Sequence, residues 1–350
     1  MLKSKKDIRV IDLFSGIGGL THGFRLAGLN VVAGIDNDES CAFGYETSNA
    51  TQFILRDIND VSPSEIEMLF GDAEIKVLAG CAPCQPYSKL NLRGKRQQQK
   101  APLSKFASLI RSIQPHIVSM ENVSGLCNTE KYPIFQEFLD TLDDLNYYYD
   151  YRVINTADYG VPQNRIRLVL LASSLGPIAI PQPTHKTHVT LREAIGDLPR
   201  IKDGEADVDD PLHYASRLSE LNFRRIRATP KNGGTQKSWP EELLLECHKK
   251  ESGRTFSSVY GRMWWDRPAS TMTTQCIGLG NGRHGHPDQH RAISLREAAR
   301  IQTFPDDYTF SEREERFNVG DVARFIGNAV PVRLGEVLGR SIKKHIECRL

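Results

Sequence analysis

Asp12-Leu13-Phe14-Ser15-Gly16-Ile17-Gly18-Gly19-Leu20 is the stretch on which the reading of this chain turns. An apolar run from Ile8 to Phe14 enters a glycine-rich turn and leaves it as the start of a helix. Glycines in such a turn let the main chain approach a ligand closely, and a helix N-terminus offers unpaired N–H groups. The spacing is not a strict G-x-G-x-x-G, so a purely structural turn is the competing reading of this stretch alone. Asp36 favours a ligand. It follows a second apolar run, Val31 to Ile35, at the place where an acid in nucleotide-binding sheets accepts hydrogen bonds from ribose hydroxyls. A third acid, Asp57, follows the next short apolar segment. These residues predict a site for an adenosine-containing cofactor, with a pyrophosphate-binding dehydrogenase as the alternative at this point.

Working outward, Ile75 to Ala79, His116 to Met120 and Ile166 to Ala172 also read as strands. Between them, Phe106, Leu109, Ile110 and Ile113 recur at helical spacing, as do Phe135, Phe138, Leu139 and Leu142, with Pro102 suited to the first turn of the earlier helix. Alternation of this kind predicts an α/β fold, a parallel sheet with helices on its faces. After Ala172 the pattern breaks at Pro177, Pro181 and Pro183. Helical patterning returns at Leu295 to Ile301 and from Phe317 onward. The expected organisation is one domain of residues 1–183 plus 292–350, with a smaller domain of residues 184–291 inserted in it.

The 350 residues hold 45 Lys and Arg against 43 Asp and Glu, a net charge of +2, so any attraction for a polyanion must be local. Charged residues are 25% and apolar ones 39%, which excludes a disordered or low-complexity chain. No apolar run reaches the roughly 18 residues that cross a bilayer. Seven cysteines, an odd number without a dense framework, predict free thiols in a reducing compartment. The expectation is an unexported, cytoplasmic protein with no membrane partner.

One cysteine pair stands out. Gly80-Cys81-Ala82-Pro83-Cys84-Gln85 follows the Ile75 to Ala79 strand, at the edge of the sheet where ligands bind. C-x-x-C spacing admits a zinc site, a redox pair, inert thiols or a nucleophile, although no second C-x-x-C supports zinc. Met120-Glu121-Asn122-Val123 ends the neighbouring strand on the same edge. Farther on, Gln163-Asn164-Arg165-Ile166-Arg167 opens another strand, and a period of two sets Arg165 and Arg167 on one face.

At these residues the chain resembles the cytosine-5 DNA methyltransferases, in particular the prokaryotic restriction-modification type. The blocks that carry the resemblance are the turn at 12–20, Pro83-Cys84-Gln85, Glu121-Asn122-Val123, Gln163-x-Arg165-x-Arg167, Arg296-Glu297-Ala298-Ala299-Arg300 with Phe304-Pro305, and Gly327-Asn328-Ala329-Val330-Pro331. They occur in the family's order and span almost the whole chain. The resemblance implies a Rossmann-like methyltransferase sheet dependent on S-adenosylmethionine, with residues 184–291 as an inserted target-recognition domain.

It also implies a site. Cys84 would add to C6 of a flipped cytosine in a specific duplex sequence, Glu121 would meet the N3 edge, and Arg165 and Arg167 would complete the catalytic set. S-adenosylmethionine would lie against Phe14, Ser15, Gly16, Gly18, Gly19 and Leu20, with Asp36 and Asn37 at the ribose, Asp57 and Ile58 at the adenine, and Pro83, Asn328 and Val330 closing the pocket. Its product would be S-adenosylhomocysteine. Double-stranded DNA would be held by Gln85, Ser88, Arg93 and Arg96 of a basic segment without acids, and by Arg225, Arg227 and Arg283 of the inserted domain. No metal is expected, because His284, His286 and His290 with Cys276 have a poor spacing for one. Trp264-Trp265 is expected to serve packing.

The expected role is the modification half of a restriction system, acting as a monomer beside a cognate endonuclease. Two alternatives are weighed against it. A tRNA methyltransferase of the same family is disfavoured by the sizeable basic insertion. A catalytically silent DNA-binding regulator is disfavoured by intact Cys84, Glu121, Arg165 and Arg167.

Overall fold

The structure is a computed structural model that describes residues 6–83, 102–249, 258–312 and 316–350. Two compact units are resolved. The first comprises Met1–Asn155, Ile166–Pro183 and Val330–Leu350, and the second Thr156–Arg165 and Thr184–Ala329. The chain leaves the first unit at Pro183 but returns to it only at Val330, so residues 292–329, expected with the first unit, lie in the second. Among the described residues no helix is long and apolar enough to cross a membrane.

The first unit alternates β1 (Ile8–Leu13), α1 (Gly19–Leu26), β2 (Asn30–Asp36), α2 (Ala42–Asn49), β3 (Gln52–Leu55), α3 (Pro63–Phe70), β4 (Ile75–Gly80), α4 (Pro102–Ile113), β5 (Ile117–Val123), α5 (Pro133–Asp144) and β6 (Tyr148–Asn155). After a two-residue strand of the second unit, β7 (Gln163–Asn164), β8 (Ile166–Ser173) completes it. Seven described strands form one sheet in the order β3-β2-β1-β4-β5-β8-β6. It is not wholly parallel, as the alternation suggested, because β8 runs antiparallel to both of its neighbours. Tight joints require this reversal: β6 returns through residues 156–165 without a crossover helix.

The central strands are apolar because both their faces are covered. Val10, Ile11 and Leu13 of β1 and Val77, Leu78 and Ala79 of β4 are buried. Helices α4 and α5 meet them with the apolar stripes read from the sequence, and Phe106 and Phe138 touch edge to face at 5.5 Å. Ser62 and Glu65 form a reciprocal cap at the start of α3, with Pro63 in its first turn.

The second unit has little regular structure. It contains α6 (Leu191–Ile195), α7 (Glu220–Ala228), α8 (Glu246–Lys249), β9 (Ala269–Ser270), α9 (Leu295–Ile301) and α10 (Val319–Asn328), and β7 pairs in parallel with β9. Buried cations hold much of it. Fully buried Arg262 donates to the carbonyls of Ile226, Thr229 and His286, and Arg291 forms two 2.7 Å bonds to Glu297. Main-chain carbonyls left over in irregular structure need such donors.

The chain re-enters the first unit and ends in α11 (Val332–Arg349), which runs along α1. Close approach is possible because Gly23 has no side chain: a Cβ there would fall 2.3 Å from the Val332 carbonyl oxygen.

Candidate active site

The order β2-β1-β4-β5 sets four strand ends side by side. Asp36, Phe14, Cys81 and Glu121 therefore line one edge of the sheet, at the point where the strand order reverses beside β1.

The turn after β1 is held in an unusual conformation. Phe14 has φ +57°, a left-handed backbone on a bulky residue, and Gly16 and Gly18 follow at +49° and +92°. Strain of this kind persists only where surrounding contacts fix it. The Ser15 N–H donates to the Ile35 carbonyl at 3.2 Å, the Gly18 N–H to the Ser15 carbonyl at 2.9 Å, and the Gly16 N–H to Asp36 Oδ2 at 2.8 Å. Asp36 Oδ1 accepts from the Asp38 N–H at 3.0 Å. Burial pushes the Asp36 carboxyl above its ordinary range, against these main-chain bonds.

Beneath the turn, Asp12 accepts from the Thr21 hydroxyl at 2.7 Å, and Thr21 in turn meets the Tyr45 hydroxyl at 3.0 Å. Burial raises Asp12 to about 7. Its signal in the sequence is an acid inside an apolar strand.

Two observations bear on an adenosine-containing cofactor. Ser15 Oγ is buried without a hydrogen-bond partner, and a Cβ added at Gly16 would meet nothing within 4 Å. A polar atom without a partner beside open space suits a polar ligand. Gly19 and Leu20 start α1 as buried residues, so the Leu20 side chain faces the interior. Asn37 is exposed, Ile58 is buried, and exposed Asp57 accepts from Asn59 with Oδ1. Asn328 ends α10 in the second unit and is exposed, whereas Val330 opens the last segment of the first and is buried.

At the ends of β4 and β5 the geometry is tighter. Glu121 is 3% exposed. Arg167 Nε stands 3.0 Å from its Oε1, and the Cys81 thiol donates to its Oε2 at 2.8 Å. Asn122 Nδ2 donates to the Ala82 carbonyl at 3.0 Å, which fixes the main chain just before exposed Pro83. Cys84, Gln85, Ser88, Arg93 and Arg96 lie outside the described residues.

Arg165 stands one residue before β8, where its carbonyl accepts from the Thr156 N–H at 3.0 Å, and its side chain has other partners than that of Arg167. Arg165 belongs to the second unit, where its guanidinium donates to the carbonyls of Met272 at 3.0 Å, Gly327 at 3.3 Å and Ala329 at 3.4 Å. Gln163 adds to this clamp. It accepts from the Met272 N–H at 2.7 Å and donates to Gln302 at 2.6 Å, while Gln302 donates to the carbonyls of Ile326 and Ala329. Gln302 stands between Arg300 and Phe304, inside a block whose quoted residues do not include it.

Two expected DNA contacts are corrected. Arg225 is 5% exposed, donates to the Leu243 carbonyl and Asn222, and lies over the rings of Trp239 and Tyr260. Arg283 is 8% exposed, donates to the carbonyls of Gly233 and Arg262, and covers Trp264 at 4.2 Å. Both guanidiniums satisfy the interior of the second unit and are turned away from solvent. Arg227 is exposed. Trp265 meets His286 edge to face within the same unit. Among the described residues no group of His, Cys, Asp or Glu is arranged to hold a metal ion.

Comparison with known proteins gives a consistent result. The family model for C-5 cytosine-specific DNA methylases matches residues 8–344. A type II methylase, M.HgiDII of Herpetosiphon aurantiacus, is 48% identical over 340 residues, covering 97% of this chain and 96% of the relative. The type II methyltransferase M.MthTI of Methanothermobacter thermautotrophicus is 31% identical over 360 residues, covering 97% and 98%. Among solved structures, a DNA modification methyltransferase encoded within an E. coli prophage superposes with a TM-score of 0.72 at 22% identity, covering 97% of this chain and 99% of the other.

Proposed function

Because the chain belongs to the C-5 cytosine-specific DNA methylases, we propose that it modifies a cytosine flipped out of a specific duplex sequence, using Cys84 as nucleophile and S-adenosylmethionine as methyl source. It is a DNA (cytosine-5)-methyltransferase of the type II restriction-modification kind. The observation that carries the mechanistic reading is the buried Glu121 carboxylate, aligned by Arg167 at the edge of the sheet, one strand away from the segment that leads to Cys84.

C5 of cytosine is not nucleophilic. Addition of the Cys84 thiolate at C6 breaks the 5,6 double bond and leaves an electron pair at C5, provided the charge developing at N3 is met by a proton. The Glu121 carboxyl is the group that gives N3 this proton and takes it back when the adduct breaks down, and Arg167 orients it for that contact. Arg165 serves the same chemistry indirectly, by tying Met272 and Gly327 to one another. S-adenosylmethionine, when bound, supplies a sulfonium methyl open to attack by a carbon nucleophile. Loss of the C5 proton and departure of Cys84 restore the aromatic ring.

The residues of the glycine turn fit that cofactor, given the partnerless Ser15 Oγ and the open space at Gly16. Asp36 keeps lone pairs for ribose hydroxyls beyond the two it gives to the main chain. Gly16 and Gly18 would lie under the amino acid moiety, Phe14, Asn37, Asp57 and Ile58 about the adenosine, and Pro83 and Val330 at the remaining walls. Leu20 takes part through its main chain.

A cytosine in a stacked duplex is out of reach of Cys84, and extruding it costs a few kcal/mol. The basic segment 85–100, with Arg93 and Arg96, and the exposed Arg227 are the residues proposed to hold the phosphates; the second unit reads the sequence. The protein works as a monomer beside an endonuclease that cuts the same sequence.

The test is transfer of labelled methyl from S-adenosylmethionine to unmethylated duplex DNA and, in parallel, to tRNA, with wild type and Cys84→Ala. Label at DNA C5, abolished in the variant, is expected. Label on tRNA alone, or transfer that survives Cys84→Ala, overturns the reading.

A further inference from the structure

Cys81 takes no part in the mechanism above, yet its side chain touches the centre of it. The main chain pins this residue from two sides. Its N–H donates to the Leu13 carbonyl of β1 at 3.3 Å, and the next carbonyl, that of Ala82, is held by Asn122 of β5. From this position Sγ reaches Glu121 Oε2 at 2.8 Å, while Arg167 occupies Oε1. One oxygen thus accepts from the thiol, while the other faces the guanidinium as an ion pair and accepts no hydrogen bond from the described residues.

The two contacts differ in strength. Arg167 holds its side of the carboxylate by charge, whereas a neutral thiol is a weak donor. A cytosine whose N3 edge approaches Glu121 displaces the weaker partner. We propose that Cys81 is a positioning residue: its thiol fixes the Glu121 carboxylate in the free enzyme and yields Oε2 to the N3 edge of the incoming base. This rests on the reading of Glu121 given above. It also assigns a use to the first cysteine of the C-x-x-C pair other than metal or disulfide chemistry.

Two substitutions in the full-length protein separate a donor from a filler of space. Cys81→Ala removes the donor and, because the contact is given up once the base is bound, is expected to lower kcat/KM for unmethylated duplex DNA about fivefold to tenfold while kcat and KM for S-adenosylmethionine stay within about twofold of wild type. Cys81→Ser keeps a donor and is expected to stay within about threefold of wild type. Thermal unfolding of both variants checks that they fold. Wild-type kinetics in Cys81→Ala, or equal losses in the two variants, overturns the proposal.

A second measurement does not depend on methyl transfer. In protein carrying Cys84→Ala, alkylation of Cys81 by iodoacetamide is followed by peptide mass spectrometry, with and without Glu121→Gln. The thiolate is the reacting species, so a thiol bonded to the carboxylate reacts slowly, and Glu121→Gln is expected to speed labelling several-fold. An unchanged rate overturns the contact itself. If wild type methylates no DNA while labelling responds as expected, the functional reading fails and the Cys81–Glu121 contact stands.

Discussion

Arg167 and Glu121 are diagonal partners on one face of an antiparallel pair: Arg167 lies opposite Val123 and Glu121 opposite Val169, and Nε meets Oε1 at 3.0 Å. Reversal of β8 brings about this meeting, since it sets a residue near the start of β8 beside one near the end of β5. Arg167→Met leaves a buried carboxylate without its counter-charge. The expected cost is about 3–5 kcal/mol in denaturant unfolding, together with loss of methyl transfer. In the double variant Arg167→Met, Glu121→Gln most of the stability returns, because no charge is left unpaired. Equal stability of single and double variants would sink this account.

Gly16 combines a positive φ with open space around its missing Cβ. Gly16→Ala is expected to destabilise the protein by only about 1 kcal/mol, the backbone term alone. Its larger effect falls on the ligand, because the methyl enters the space proposed for it. Calorimetry should show S-adenosylhomocysteine binding weakened by at least about tenfold. Unaltered affinity would place the cofactor elsewhere.

Asp12 gives the protein a pH signature. Burial holds its carboxyl at about 7, above the 3.8 of the free group, and Asp36 is shifted in the same direction for the same leading reason. The folded state then binds the proton more tightly than the unfolded chain. Stability contributed by that proton is complete below the unfolded value and disappears as pH rises through about 7. The melting temperature should fall between about pH 5 and about pH 8, and Asp12→Asn should flatten the decline. A variant that declines as steeply as wild type would refute this.

In the second unit the sign is opposite for Glu297. Burial alone would raise its carboxyl, but the Arg291 guanidinium overrides this and holds it at about 2. Its contribution is present above the ordinary carboxylate range and disappears as pH falls through about 2. Glu297→Gln should cost about 3–5 kcal/mol at neutral pH, since it strands buried Arg291, and the check is denaturant unfolding.

Three arginines of that unit should divide cleanly. Arg283→Ala loses three main-chain bonds and the cover of Trp264, and should lower the melting temperature without altering the salt slope of DNA binding. Arg225→Ala should behave likewise. Arg227→Ala should leave the melting temperature unchanged and reduce the slope of log affinity against log salt by about one. A slope change in Arg283→Ala but not Arg227→Ala would invert the assignment.

Much of the sheet was legible because central strands buried on both faces read as apolar runs. Strands β1, β2, β4, β5 and β8 all fall on runs named from the sequence. β6 was not, since its residues Tyr148-Tyr149-Asp150-Tyr151-Arg152 are mostly exposed at the sheet edge and carry no apolar signal. The direction of β8 was illegible too, because antiparallel pairing leaves no mark on composition. Among the candidate site residues, Asp36 and Glu121 stand at or near strand ends, as their offsets in the sequence predict. Arg225 and Arg283 were misread for a physical reason: a guanidinium that satisfies buried carbonyls has the same sequence signature as one that binds phosphate.

Gln163 and Arg165 grip residue 272 only by its main chain, one taking its N–H and the other meeting its carbonyl. Such a joint depends on the main chain of residue 272, whereas the buried Met272 side chain is held separately by packing. The consequence is a socket that holds one residue by both of its main-chain polar groups. Any replacement of the segment around residue 272 keeps these two bonds as long as it presents that N–H and that carbonyl in the same place.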